Sequence, residues 1–203
     1  MDRATNASSP FPSRRRMLQL GALAAVPTTL LATGRAEARS LAVDYPKAES
    51  VPASKSNYTV SGRPLSYPID FVIVHVTQEN YATTLDIFKN PAKQVSAHYV
   101  VRSSDGHIAQ MVREKDVAWH AGNWNYNTRS IGIEHEGWVD KPQYFTDAMY
   151  RESAALTASI CTRYGIPKTR DHILGHVEVP GTDHTDPGPY WDWERYMRLV
   201  QGT

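Results

Sequence analysis

The chain has 203 residues, 41% of them hydrophobic, with 22 Lys/Arg against 21 Asp/Glu for a formal net charge of +1. That length predicts one domain with an ordinary core, and the charge balance excludes the basic surplus that a nucleic-acid partner requires. The one cysteine, Cys161, excludes an internal disulfide; set between Ile160 and Thr162 in a helical pattern, it reads as a small core residue.

Residues 1–38 read as an export signal. Ser13-Arg14-Arg15-Arg16 precedes an apolar stretch from Leu18 to Ala32, and Ala36-Glu37-Ala38 offers a small-residue cleavage site before Arg39. The paired arginines directly ahead of the apolar stretch mark the twin-arginine type. The stretch is shorter than the ~20 residues a spanning helix needs. No membrane contact is therefore expected after signal removal, and the mature chain is expected to be extracellular or in the cell wall or periplasm. Five basic and two acidic residues fall in the signal, so residues 39–203 carry 17 basic and 19 acidic ones, a net of −2.

Residues 39–66 are rich in Ser, Pro, Lys and Ala without a clear period, and read as a linker or surface arm. The domain proper is expected over 67–203. Phe71–Val76 is a near-continuous β-branched run, the pattern of a strand buried on both faces. Tyr81–Lys89 predicts a short helix stopped by Asn90-Pro91. His98–Arg102 and Ile108–Val112 predict two strands joined through Ser103-Ser104-Asp105-Gly106. Arg113–Ser130 predicts a long loop rich in Trp and Asn, and Ile131–Val139 another strand. Thr146 is a suitable N-cap for a helix from Asp147 to Tyr164, with Gly165 just past its end. Ile173–Gly175 predicts a brief strand and Asp192–Val200 a closing amphipathic helix, pinned by Trp191 and Trp193. Alternating strands and helices with one hairpin give an α/β fold: a single domain with a central mixed β-sheet flanked by helices.

The run Gly175-His176-Val177-Glu178-Val179-Pro180-Gly181-Thr182-Asp183-His184-Thr185-Asp186-Pro187-Gly188 has no helical or strand period. It sets two histidines and an aspartate among stiff Pro/Gly steps, and imidazole and carboxylate are standard zinc donors. His75 lies inside the buried strand. One ligand from that strand and two from the loop make three protein ligands with a fourth position open, the pattern of a catalytic zinc site on loops at the sheet edge. On composition alone His184 competes with His176.

Five short motifs identify a resemblance: Ile73-Val74-His75, Val95-Ser96-Ala97-His98-Tyr99, Trp119-His120-Ala121-Gly122, Ser130-Ile131-Gly132-Ile133-Glu134, and Gly175-His176 through Asp186-Pro187-Gly188. In this order they resemble the zinc-dependent N-acetylmuramoyl-L-alanine amidases, the family shared with phage amidases and animal peptidoglycan recognition proteins, over roughly Tyr67 to Val200. The resemblance implies one Zn2+ per chain on His75, His176 and Asp186, and peptidoglycan or muropeptides as partners. It implies catalytic roles for Glu134 as general base and for His184, which stands where the family carries a lysine or a smaller polar residue. Alternation along the strand puts Gly132, Glu134 and Glu136 on one face, and a mid-strand acid is costly without a partner such as water at a metal. Glu136 is the runner-up; where some relatives use a tyrosine this chain has Ala97. Trp119 and Trp124 are expected to stack on substrate, with His120 and Asn123 hydrogen-bonding to it. His98, His107, His135 and His172 are expected to be structural or at the surface.

The expected reaction is hydrolysis of the amide between the lactyl group of N-acetylmuramic acid and L-alanine. Two other readings compete. One is a non-catalytic muropeptide-binding module. The other is an iron oxygenase, for which His184-Thr185-Asp186 has a fitting spacing. Nothing in the sequence signals an oligomeric state.

Overall fold

In the computed structural model, residues 43–202 are described; the expected signal at 1–38 lies outside them. The β-branched run forms strand β3 (Phe71–Val76), buried from Val72 onward. It is flanked by two parallel neighbours, β7 (Ser130–His135) and β8 (Ile173–Gly175). Beyond β7 the sheet continues through β4 (Tyr99–Val101, parallel), β5 (Ile108–Gln110, antiparallel to β4) and β1 (Glu49–Ser50, parallel to β5). The sheet is therefore mixed, six-stranded and central. A second small sheet pairs β2 (Tyr58–Thr59) with β6 (Val117–Ala118).

Strand alternation divides the labour between the two faces. Val72, Val74, Ile131, Ile133 and Tyr99 join the main core under helices α3 (Asp147–Tyr164) and α4 (Trp193–Gln201). Each such fully buried aliphatic side chain contributes about 1.5–3 kcal/mol. Thr146 caps α3 by accepting from Met149 N, and Gly165 ends it in the left-handed region at φ 69°. Tyr196 on α4 shares its hydroxyl with Ser153 and Thr157 on α3, which fastens the two helices together. On the opposite face α1 (Tyr81–Lys89) covers Val100 and Ala109 through Phe88. The stretch of that face bearing His75 and Glu134 carries the cavity described below.

Three expectations need correction. The described part of 39–66 is not a linker: it supplies β1 and β2 and buries Tyr45, Ala53, Asn57 and Arg63. Beside the apolar Tyr45 and Ala53, two of its buried groups are polar and hydrogen-bonded, which hides them from a hydrophobic pattern. Asn57 donates to the carbonyls of Phe88 and Asn90. The Arg63 guanidinium reaches the carbonyls of Glu114, Asp116, Asn127, Thr128 and Ser130. Burial lowers its pKa to about 10. Nor is Arg113–Ser130 a long loop. It holds β6 and helix α2 (Trp124–Arg129), elements too short for a period to register. Strand β7 also ends at His135, short of the expected Val139; Gly137, at φ 141°, has left extended geometry.

Candidate metal centre

The parallel register of β3 and β7 sets His75 directly beside Glu134. β8 lies along the other side of β3, and the chain leaving it begins a single 3-10 turn at His176. The loop then returns: Val177 N donates to the Asp186 carbonyl at 2.9 Å, and Val76 N donates to Asp186 Oδ2 at 3.3 Å. Three segments distant in sequence thus converge. His75 Nδ1 stands 3.3 Å from Asp186 Oδ2, and His176 Nδ1 stands 3.2 Å from Asp186 Oδ1. Ligand atoms of the three residues lie within 4.8 Å of one another, and all three residues are buried.

The electrostatics suit a cation. Burial works to raise the Asp186 carboxyl, but the imidazoles of His176 and His75 overcome it and hold the group far below the usual carboxylate range. Burial pushes the His75 imidazole below its ordinary range despite the neighbouring Asp186. Glu134 is pushed well above the usual carboxylate value, by burial first and then by the charge of Asp186. Its Oε2 is shut from solvent with no hydrogen-bond partner among the described residues, a costly state for a carboxylate. Two imidazole nitrogens and a carboxylate form an N/O donor set fitting zinc, and three protein donors match a site that works on a ligand rather than a closed structural one. An orphaned carboxylate oxygen beside that set fits a group that receives a proton at the centre.

A cavity of about 490 Å3 opens over the cluster, walled by His75, Trp119, Glu134, His176, His184 and Asp186. A second hollow of about 440 Å3 shares Gln78, His184 and Asp186 with it. His184 lies between them, exposed, stacked on the His176 ring at 4.0 Å between centroids, with Nδ1 3.4 Å from Asp186 Oδ1. Glu136, the runner-up base, is spent elsewhere: its two oxygens accept from Tyr81 N and Ser103 N.

The residues expected to hold substrate separate. Trp119 faces the cavity, its indole Nε1 donating to Thr59 Oγ1. His120 also lines the cavity, but both of its ring nitrogens have protein partners. It lies behind His75, with Nδ1 2.9 Å from His75 Nε2 and Nε2 3.2 Å from Ser130 Oγ. Asn123 is likewise engaged, its Oδ1 capping α2 and its Nδ2 donating to Pro180 O. Trp124 is 53% exposed on α2 and lies outside the cavity wall. Sequence reasoning missed Gln78 and Gln94, which line the cavity with backbones in the left-handed region at φ 54° and 50°. Such geometry is costly for a residue with a Cβ and gathers at functional sites, but no residue pattern announces it. It also missed Asn127, whose Oδ1 accepts from the backbone of His120 and Ala121.

Comparisons with known proteins agree with this picture. A family model described as N-acetylmuramoyl-L-alanine amidase matches residues 65–189. N-acetylmuramoyl-L-alanine amidase A of Achromobacter lyticus is 40% identical over 178 residues, spanning 79% of this chain and 97% of that protein. A solved structure of an AmpD selenomethionine derivative superposes with a TM-score of 0.63 at 30% identity, covering 79% of this chain and 99% of the other. The amidase AmiD from E. coli was solved with the substrate anhydro-N-acetylmuramic acid-L-Ala-D-gamma-Glu-L-Lys. It superposes with a TM-score of 0.56 at 26% identity, covering 64% of this chain and 57% of that one.

Proposed function

Because this chain belongs to the N-acetylmuramoyl-L-alanine amidase family, we propose that it hydrolyses the amide between the lactyl group of N-acetylmuramic acid and L-alanine in peptidoglycan stem peptides, with one zinc ion on His75, His176 and Asp186. The observation that carries this reading is the orphaned Glu134 carboxylate, aligned in register with His75 at the wall of the cavity. A zinc ion held by these three residues would supply Lewis acidity for polarising a carbonyl and for lowering the pKa of water to about 7.

The chain's own groups do the rest. Glu134, at the wall of the cavity beside His75, accepts a proton from the attacking water. The water oxygen bonds to the lactyl carbonyl carbon. His184, at the cavity mouth, donates a hydrogen bond to the oxygen on which negative charge develops. Glu134 then returns the proton to the alanine nitrogen as the C–N bond breaks. The products are a free lactyl carboxylate and a peptide with a free N-terminal alanine. The two hollows meeting at His184 suit a substrate with a sugar arm and a peptide arm on either side of one bond. Trp119 offers a stacking face, and Gln78 and Gln94 offer amides. We assign residues 1–38 as the export signal that delivers the enzyme to the wall.

The test is to measure bound metal in the purified protein and digest peptidoglycan with and without a chelator. One zinc per chain and chelator-sensitive release of peptides with N-terminal alanine are expected. Zinc without cleavage would favour a muropeptide-binding module, and bound iron would overturn the mechanism.

A further inference from the structure

Behind His75 runs a line of hydrogen bonds whose direction is fixed at its far end. The Ser130 hydroxyl lies 2.6 Å from the Tyr126 carbonyl, an oxygen that can only accept, so the hydroxyl proton points there. Ser130 Oγ is then left to accept from the ring nitrogen 3.2 Å away, His120 Nε2, which must carry a hydrogen. His120 is 7% exposed and has no ion pair with a carboxylate among the described residues, so it is the neutral imidazole, with its single hydrogen on Nε2 and a bare Nδ1. That bare Nδ1 stands 2.9 Å from His75 Nε2, which therefore donates. Asp186, 3.3 Å from His75 Nδ1, draws a hydrogen onto that atom, whereas the bare His120 Nδ1 holds the hydrogen on Nε2; the line behind His75 is what opposes Asp186.

We propose that His120 and Ser130 are positioning residues: acting from the Tyr126 carbonyl through two rings, they hold the hydrogen of His75 on Nε2 and leave its Nδ1 ready to take a metal ion. The proposal rests on the reading of His75 as a ligand. The surroundings are built for it. Gly132 on β7 passes so close that a Cβ there would meet the His120 ring at 2.5 Å, and Asn127 holds the His120 backbone in place. A metal-bound imidazole needs its second nitrogen oriented by an outer partner, and loss of such partners costs 10–100-fold in metal affinity.

The experiment uses the full chain, metal-free, with histidine side chains labelled for 15N–13C NMR, and zinc titration against a competing chelator. In the wild-type protein His75 should appear as the Nε2–H tautomer. Ser130→Ala releases His120 to turn its hydrogen toward His75, so an Nδ1–H fraction of His75 should appear and zinc affinity should fall about 10–100-fold. His120→Asn keeps an accepting oxygen near the Nδ1 position and should retain more affinity than His120→Leu, at equal thermal stability. An Nδ1–H His75 in the wild-type protein overturns the proposal even if every variant fails to fold. So do wild-type zinc affinity and an unchanged tautomer in Ser130→Ala. Failure of the wild-type protein to bind zinc would instead remove the ligand assignment itself.

Discussion

A carboxylate buried without a partner is tolerated where it has work to do, and Glu134 is the residue where this chain accepts that cost. Replacing it with Gln keeps the shape and removes the proposed base. Glu134→Gln should therefore retain zinc at one per chain and an unfolding midpoint no lower than wild type. Its kcat on a muropeptide should fall about 100-fold or more, the scale of a lost general base; undiminished turnover would pass the role to another group. At this scale the sequence was informative about residue types. The convergence of His75, His176 and Asp186 was anticipated through the family resemblance, because on composition alone His184 competed with His176. The place of His120 was not. Its partners Ser130 and His75 stand 10 and 45 positions away, and only the folded geometry orders their protons.

Among the elements, legibility followed length. α3 and β3 carry enough residues for a period or a β-branched run to stand out, and their bounds match the expected ones. The two-residue strands β1, β2 and β6 and the six-residue α2 owe their existence to partners supplied by other segments. The arm is the clearest case, because Arg63 reads as a solvated charge until its five carbonyl partners are seen. Arg63→Met keeps the stem and removes the fork, stranding those carbonyls in the interior. The expected loss is about 3–5 kcal/mol in urea denaturation, as for one partner taken from a buried charged network. A loss under about 1 kcal/mol would mean that water enters and satisfies the carbonyls.

For the molecule as a whole, the buried imidazoles set an acid limit. Burial holds His98 and His120 well below the ordinary histidine value, lowers His75, and takes His135 to about 3. Above a pH of about 6.5 these groups are neutral both folded and unfolded, and contribute no slope. Below it the unfolded chain takes up protons that the folded one refuses, so stability falls with falling pH. Each group adds up to about 1.4 kcal/mol per pH unit until its folded pKa is reached. Several such groups acting on a domain of about 5–15 kcal/mol should bring acid unfolding within a few pH units. The metal-free protein should show a urea midpoint that is flat above pH 7 and drops steeply toward pH 5. A midpoint flat across that range would contradict the buried neutral state.

The alignment of His75 with Glu134 joins residues 59 positions apart in sequence. Parallel neighbours cannot be linked by a hairpin, so this pairing waits on a crossover and on closure of a long loop. Helices of local sequence such as α3 can form earlier. Catalytic competence is thus a clock on the slowest part of folding. On dilution from denaturant, the helical circular dichroism signal should return first and amide hydrolysis later, because the proposed base and the proposed metal ligand become neighbours only when the sheet is complete.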